Sequence, residues 1–272
     1  MGKELLISIH LQWAYLRIGV KSALQYRINF IGGVMSLLLH SLLAALGGIV
    51  LIDRFGGVGN WELGQIIFMF GITRIQAGVI YSVFRGIVRW DGLVQEGLVD
   101  RYLVRPRGLL AQSPGADFDI SGLGPIMAGF GLMIYGVTLS PPVWTWWLIP
   151  WIGVVLVSGT MIQLSLTMII GASAFYNVKM GQATNAVERT QWQMNLFPAS
   201  AYSLVLQGII TVGLPWAFMA FYPSHLIYNR AGDGPFGDTV LYLAPAVGAL
   251  AFTIGYIVWR LGTRRYQGLG GM

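Results

Sequence analysis

Long apolar runs separated by short polar connections dominate the chain, and their lengths predict helices that cross a membrane. A hydrocarbon core of about 30 Å needs about 20 apolar residues at 1.5 Å of rise each. Runs of this kind lie at 28–52, 62–88, 121–139, 146–176, 201–222 and 239–259. The fifth is interrupted by Gly213 and Pro215, which predicts a kink or two shorter helices. At the head of the fourth, Trp144, Trp146, Trp147 and Trp151 follow Pro141 and Pro142 and form an aromatic belt of the kind found at membrane interfaces. Asn177 to Pro198 is polar and reads as a helical extension plus a loop.

The first residues follow a different pattern. Over 3–25 a helical projection places Lys3, His10, Arg17, Lys21 and Gln25 on one stripe and Leu5, Ile9, Trp13, Leu16, Val20 and Leu24 opposite. That predicts an amphipathic helix lying in the membrane interface, in contact with lipid. Across all 272 residues the composition is 55% hydrophobic and 10% charged, where soluble domains carry about 25% charge. The fold class expected is all-α integral membrane, as a single domain over 1–272, because no connection is long enough to hold a soluble domain. The net charge of +6 does not imply nucleic acid, since the basic residues flank the apolar runs. With the amino terminus inside, fourteen Lys and Arg fall on the cytoplasmic side, against Arg54 and Arg230 on the other. This predicts cytoplasmic termini.

The most charged passage, Trp90 to Gly108, lies between the second and third runs. A short helix there has Leu93, Val94, Leu98 and Tyr102 on one side and Glu96, Asp100 and Arg101 toward water, so it can lie across the cytoplasmic face and offer a ridge to a partner. Gly97 would allow close approach of a partner backbone, and Pro106 ends the helix. The bland alternative is a solvated basic loop that only sets orientation.

Several chemistries have no support. There is no cysteine and no phosphate-cradling G-x-x-x-x-G-K-[ST] loop. All eleven Asp and Glu fall at run ends or in connections, which disfavours ion coupling at the midplane. His10, His40 and His225 are expected at different depths, and no nucleophile motif is present, so the reading is not an enzyme. Arg74 is the exception to the apolar pattern. It sits about 18 Å along the second run from Glu62, near the midplane, where a guanidinium costs at least about 2.5 kcal/mol and should face protein or a polar path. His40, Gln76, Gln163, freed carbonyls or an anionic group on a cargo are the candidate partners, and Arg74, His40 and Gln163 are the candidate substrate-path residues.

The run Gly97, Asp100, Arg101, Tyr102, Leu103, Arg105 and Pro106 resembles the GxxDRYLxRP stretch of the six-span bacterial ABC-2-type permeases. Leu24 to Arg27, Phe118-Asp119, Ala174-Phe175, Leu214-Pro215, Tyr222-Pro223 and Arg264 to Gln267 extend the likeness along nearly the whole chain. Two departures are a shortened link between Pro106 and Phe118 and Gly268 in place of an expected serine. The resemblance implies an elbow helix, six spans, a cytoplasmic coupling helix between spans two and three, and re-entrant helices after span five. Residues Glu96 to Pro106 would contact an ABC ATPase dimer, which binds the ATP and Mg, while this chain holds no cofactor. A second, related permease is implied, a heterodimer being favoured over a homodimer. The expected function is the permease subunit of an ATP-driven exporter in a bacterial inner membrane; the alternative is a membrane assembly protein that moves no substrate.

Overall fold

A computed structural model describes residues 17, 19–21, 25–54, 58–99, 102, 112, 119–175, 181–230 and 237–265. Its helices are α1 (Arg27–Arg54), α2 (Leu63–Val83), α3 (Arg85–Val88), α4 (Trp90–Gln95), α5 (Leu123–Leu139), α6 (Leu148–Ser173), α7 (Gly181–Met194), α8 (Leu204–Gly208), α9 (Phe221–Ile227) and α10 (Ala244–Arg265). A 3₁₀ turn, Ile120–Gly122, leads into α5, and a π-helical turn, Ile209–Gly213, extends α8. No strand occurs among the described residues, and the protein is an all-α membrane protein. The amphipathic stretch 3–25 lies almost wholly outside the described residues.

Helices α1, α2, α5 with its leading turn, α6 and α10 are each long and apolar enough to cross a membrane. Helix α2 is central and buried along most of its length, whereas α1 and α10 expose most of theirs. At one end of α2 the Glu62 backbone N–H donates to Gln65 Oε1 at 3.3 Å, and the Glu62 carboxylate accepts from Ser140 Oγ at 2.6 Å, just beyond α5. At the other end Arg85 pairs with Asp119, whose Oδ1 also caps the turn into α5 by accepting from Ser121 N–H at 2.8 Å.

Between these ends α2 and α5 touch along glycine. Gly64, Gly71 and Gly78 recur every seven residues on α2 and oppose Gly136 and Gly129 on the antiparallel α5 and Gly122 in its leading turn. A Cβ on Gly71 would lie 2.7 Å from the Gly129 carbonyl oxygen, and one on Gly129 would lie 2.7 Å from that of Gly71. In a bilayer no hydrophobic force drives two helices together, so close backbone approach supplies dispersion instead. A second stripe joins α6 and α10. There Gly248, Gly255 and Gly262 meet Ser158, Ser165 and Ala172, and the constant sequence offset makes this pair parallel. Ser165 Oγ also donates to the Ala251 carbonyl at 2.6 Å.

Parallel α6 and α10 require the intervening chain to change ends. Phe175, just past α6, packs on Trp259 of α10 at 5.8 Å, at the end that carries Arg85 and Asp119. Ser200 Oγ donates to the Gly59 carbonyl at 3.2 Å, at the opposite end beside the start of α2. The chain therefore crosses between Phe175 and Ser200, mainly through α7. Downstream, Arg230 Nη1 donates to the Asn60 carbonyl at 2.5 Å, so residues 203–230 leave and return to that same end. The apolar run at 201–222, expected as the fifth span, is instead part of this excursion. Its arms, Leu204–Gly213 and Trp216–Ile227, are bent by 78°. Ten residues in the first arm extend only about 15 Å, half of a hydrocarbon core. Pro215 has no N–H to continue the helix, and the bend follows from that loss. The polar segment 177–198, expected as an extension and a loop, thus supplies the crossing.

Candidate functional site

Two places concentrate residues that the apolar frame does not need. The first is the end where α2 gives way to α3 and α4. The helical path breaks at Phe84 and Arg89, which sets α3 and α4 apart from the long helix before them. Trp90 is fully buried, with its ring 5.0 Å from that of Trp259, 6.0 Å from Phe175 and 6.2 Å from Tyr102. Ile87, Val94, Val99, Met168 and Ala172 belong to the same cluster. The start of α4 is thereby joined to the ends of α6 and α10.

Among the residues expected to contact a partner, Glu96 is exposed, Tyr102 is half-buried against Trp90, and Gly97 closes α4. Gly97 N–H donates to the Val94 carbonyl at 3.1 Å and Leu98 N–H to that of Leu93 at 3.0 Å. This is a Schellman motif, and Gly97 has the φ of +68° that the position after the cap requires. Its absent side chain is therefore demanded by backbone conformation, and a Cβ there would meet open space. Gln112 Nε2 donates to the Tyr102 carbonyl at 3.1 Å. Asp100, Arg101, Leu103, Arg105 and Pro106 lie outside the described residues. The buried Trp90, Val99 and Trp259 were not picked out by sequence reasoning; the signal available for Trp90 was a tryptophan one residue past Arg89 at the end of a span.

The second place surrounds Arg74. The side chain is 1% exposed. Its Nε and Nη1 have no hydrogen-bond partner, and the guanidinium carbon sits 3.7 Å from the Trp192 ring centroid and 4.6 Å from that of Phe70. His40 of α1 is exposed and lies 5.3 Å from the far side of this arrangement, at Trp192. Arg74, Trp192 and His40 thus form a chain of contacts across α2, α7 and α1. Among the described residues no carbonyl or amide bonds Nε or Nη1 of Arg74. Gln76 Nε2 donates instead to the Val155 carbonyl at 3.1 Å and the Met219 carbonyl at 2.9 Å, tying α2 to α6 and to the bent excursion. Gln163 is buried in α6, its Oε1 without a partner, and does not line the cavity described next.

A cavity of about 510 Å³ opens beside Trp192, with His40, Phe70, Tyr81, Arg189 and Gln193 in its wall. Such a volume accommodates a small molecule. Arg189, counted from sequence on the cytoplasmic side, belongs instead to the crossing and leaves that count. No group of three His, Asp or Glu able to hold a metal occurs among the described residues.

A family profile described as ABC-2 family transporter protein matches residues 38–270. The chain belongs to the ABC-2 transporter family. The match covers every described helix from the middle of α1 onward, including both sites. No curated protein matches the chain, and no solved structure does. This ABC-2 protein is a multi-pass membrane component of a transporter.

Proposed function

We propose that this chain is the permease subunit of an ATP-driven ABC exporter, and that α4 with the residues following it receives the motion of a separate ATPase dimer. The observation that carries the reading is the aromatic joint of Trp90, Phe175 and Trp259, which connects α4 and the exposed Glu96 that follows it to two long helices. A partner that displaces Glu96 and Gly97 drags Trp90, and close packing transmits the shift to α6 and α10, because a packed interior does not absorb strain by compression. ATP and Mg sit on the partner. A second permease, related in sequence, faces this one, with the basic ends of both in the cytoplasm of a bacterial cell.

The test is co-purification with a Walker-motif ATPase and measurement of coupled transport. Trp90→Ala removes the shared ring of the joint, a truncation that costs about 3–5 kcal/mol in a well-packed core, while Trp90→Phe retains an aromatic contact. The expected result is that the alanine variant still binds the ATPase, hydrolyses ATP and fails to transport, with partial recovery in the phenylalanine variant. A parent chain that binds no ATPase, or one that binds it and moves nothing in vesicles, refutes the assignment in favour of an assembly protein.

A further inference from the structure

The stripe that α7 exposes is polar at membrane depth. Ala186, Arg189, Thr190 and Gln193 are all exposed and recur at helical spacing, on the element that crosses between Phe175 and Ser200. A charged side chain so placed does not face hydrocarbon; it faces protein or a water-filled path. The same stripe meets the cavity through Arg189 and Gln193. Behind its wall stands Arg74, buried and without a hydrogen bond at Nε or Nη1, capped by two aromatic rings that themselves line the cavity. No carboxylate is among the described residues lining the cavity. One guanidinium, that of Arg189, thus lines the space and a second, that of Arg74, stands behind the Trp192 and Phe70 rings, while Leu37, Ala44 and Leu196 supply apolar wall.

Resting on the permease reading, we infer that this cavity takes an amphiphile with an anionic head group, a phosphate or carboxylate on an apolar chain. Arg189 meets the head group at the mouth. Arg74 receives it at the back, where the anion replaces the Trp192 ring over the guanidinium; an arginine offers a planar fork of donors suited to such oxyanions. Trp192 and Phe70 then pack on the apolar portion. A cationic amphiphile is excluded by the same two charges.

The test is isothermal titration of the full chain, in nanodiscs of zwitterionic phosphatidylcholine, with dodecyl phosphate as the probe. Saturable binding is expected, weakened about tenfold or more by Arg189→Gln, since a lost charge-assisted hydrogen bond has at least that effect. Arg74→Gln should act likewise and Arg74→Lys less; Arg189 is exposed, so its variant remains informative if the Arg74 variants fail to fold. Inorganic phosphate should bind far more weakly than the alkyl phosphate. Competition by phosphatidylglycerol assigns the ligand to the bilayer, and competition by dodecanoate alone assigns it to a soluble amphiphile; either supports the site. Equal binding of dodecyltrimethylammonium, or affinity unchanged in Arg189→Gln, overturns it. ATPase association is scored separately on the same variants, so a failed site and a failed subunit assignment are told apart.

Discussion

Replacing Gly71 by alanine adds one methyl group at the α2–α5 contact, and its consequences can be worked out from the neighbours. The new Cβ would lie 2.7 Å from the Gly129 carbonyl oxygen, 2.7 Å from Met133 Cγ and 2.8 Å from the Met133 backbone nitrogen. Two of these atoms are backbone, so the helices must separate rather than a side chain swing aside. Overpacking of this kind costs about 1–3 kcal/mol. Against it stands the helix propensity of alanine, which favours the variant by about 1 kcal/mol. Gly131→Ala on α5 isolates the second effect, because a Cβ there meets nothing within 4 Å. The two variants differ in position and not in chemistry, so their difference measures the contact and should be about 1–3 kcal/mol. Gly71→Ala combined with Gly129→Ala should destabilise by less than the sum of the two, since once the helices have parted the second methyl meets less resistance. Reversible unfolding in mixed micelles, or the thermal midpoint at fixed detergent, reads both. Equal stability of Gly71→Ala and Gly131→Ala would show that the glycine stripe does not hold α2 against α5.

Two further outcomes test other parts of the frame. Gln76→Leu removes donors to the Val155 and Met219 carbonyls and leaves both buried, so it should destabilise by about 1–3 kcal/mol and loosen residues 216–227, read as faster proteolysis or labelling there. The chain has no cysteine, so single cysteines at Gly181 and Ser200 report cleanly on topology; they should react with impermeant reagent from opposite sides of the membrane, and same-sided reaction would remove α7 from the list of crossings.

Much of the frame was legible because apolar length is a strong signal. The runs at 28–52, 121–139 and 239–259 are apolar enough to be seen without any partner. The region 177–222 was not legible for the same reason. Hydropathy selects the segment that would enter lipid alone, and Leu204 to Phe221 fits that description, whereas α7 does not. What holds α7 is protein: Gln191 Nε2 donates to Met219 Sδ at 3.4 Å, and Trp192 lies on Arg74. The depth of Arg74 followed from counting residues, but its aromatic cap comes from a helix far along the chain. Likewise, the seven-residue spacing of glycines was present in both 64–78 and 122–136, yet it acquires meaning only when an antiparallel register aligns the two sets. Gly97 was read as room for a partner, while its left-handed backbone gives a local reason for the same residue.

The polarity of α7 also has a bearing on how the protein is made. A segment carrying Glu188, Arg189 and three glutamines gains nothing by partitioning into lipid during synthesis, when each central charge costs about 2.5–3.5 kcal/mol. Its neighbours Phe70 and Arg74 are already in place by then, but Met219 and the rest of the returning arm are translated later. The helix therefore has half of its socket when it leaves the ribosome and the whole of it only once 203–230 has folded back. Holding this stretch across the membrane thus depends on 203–230 folding against it, whereas the apolar helices on either side are held by their own hydropathy.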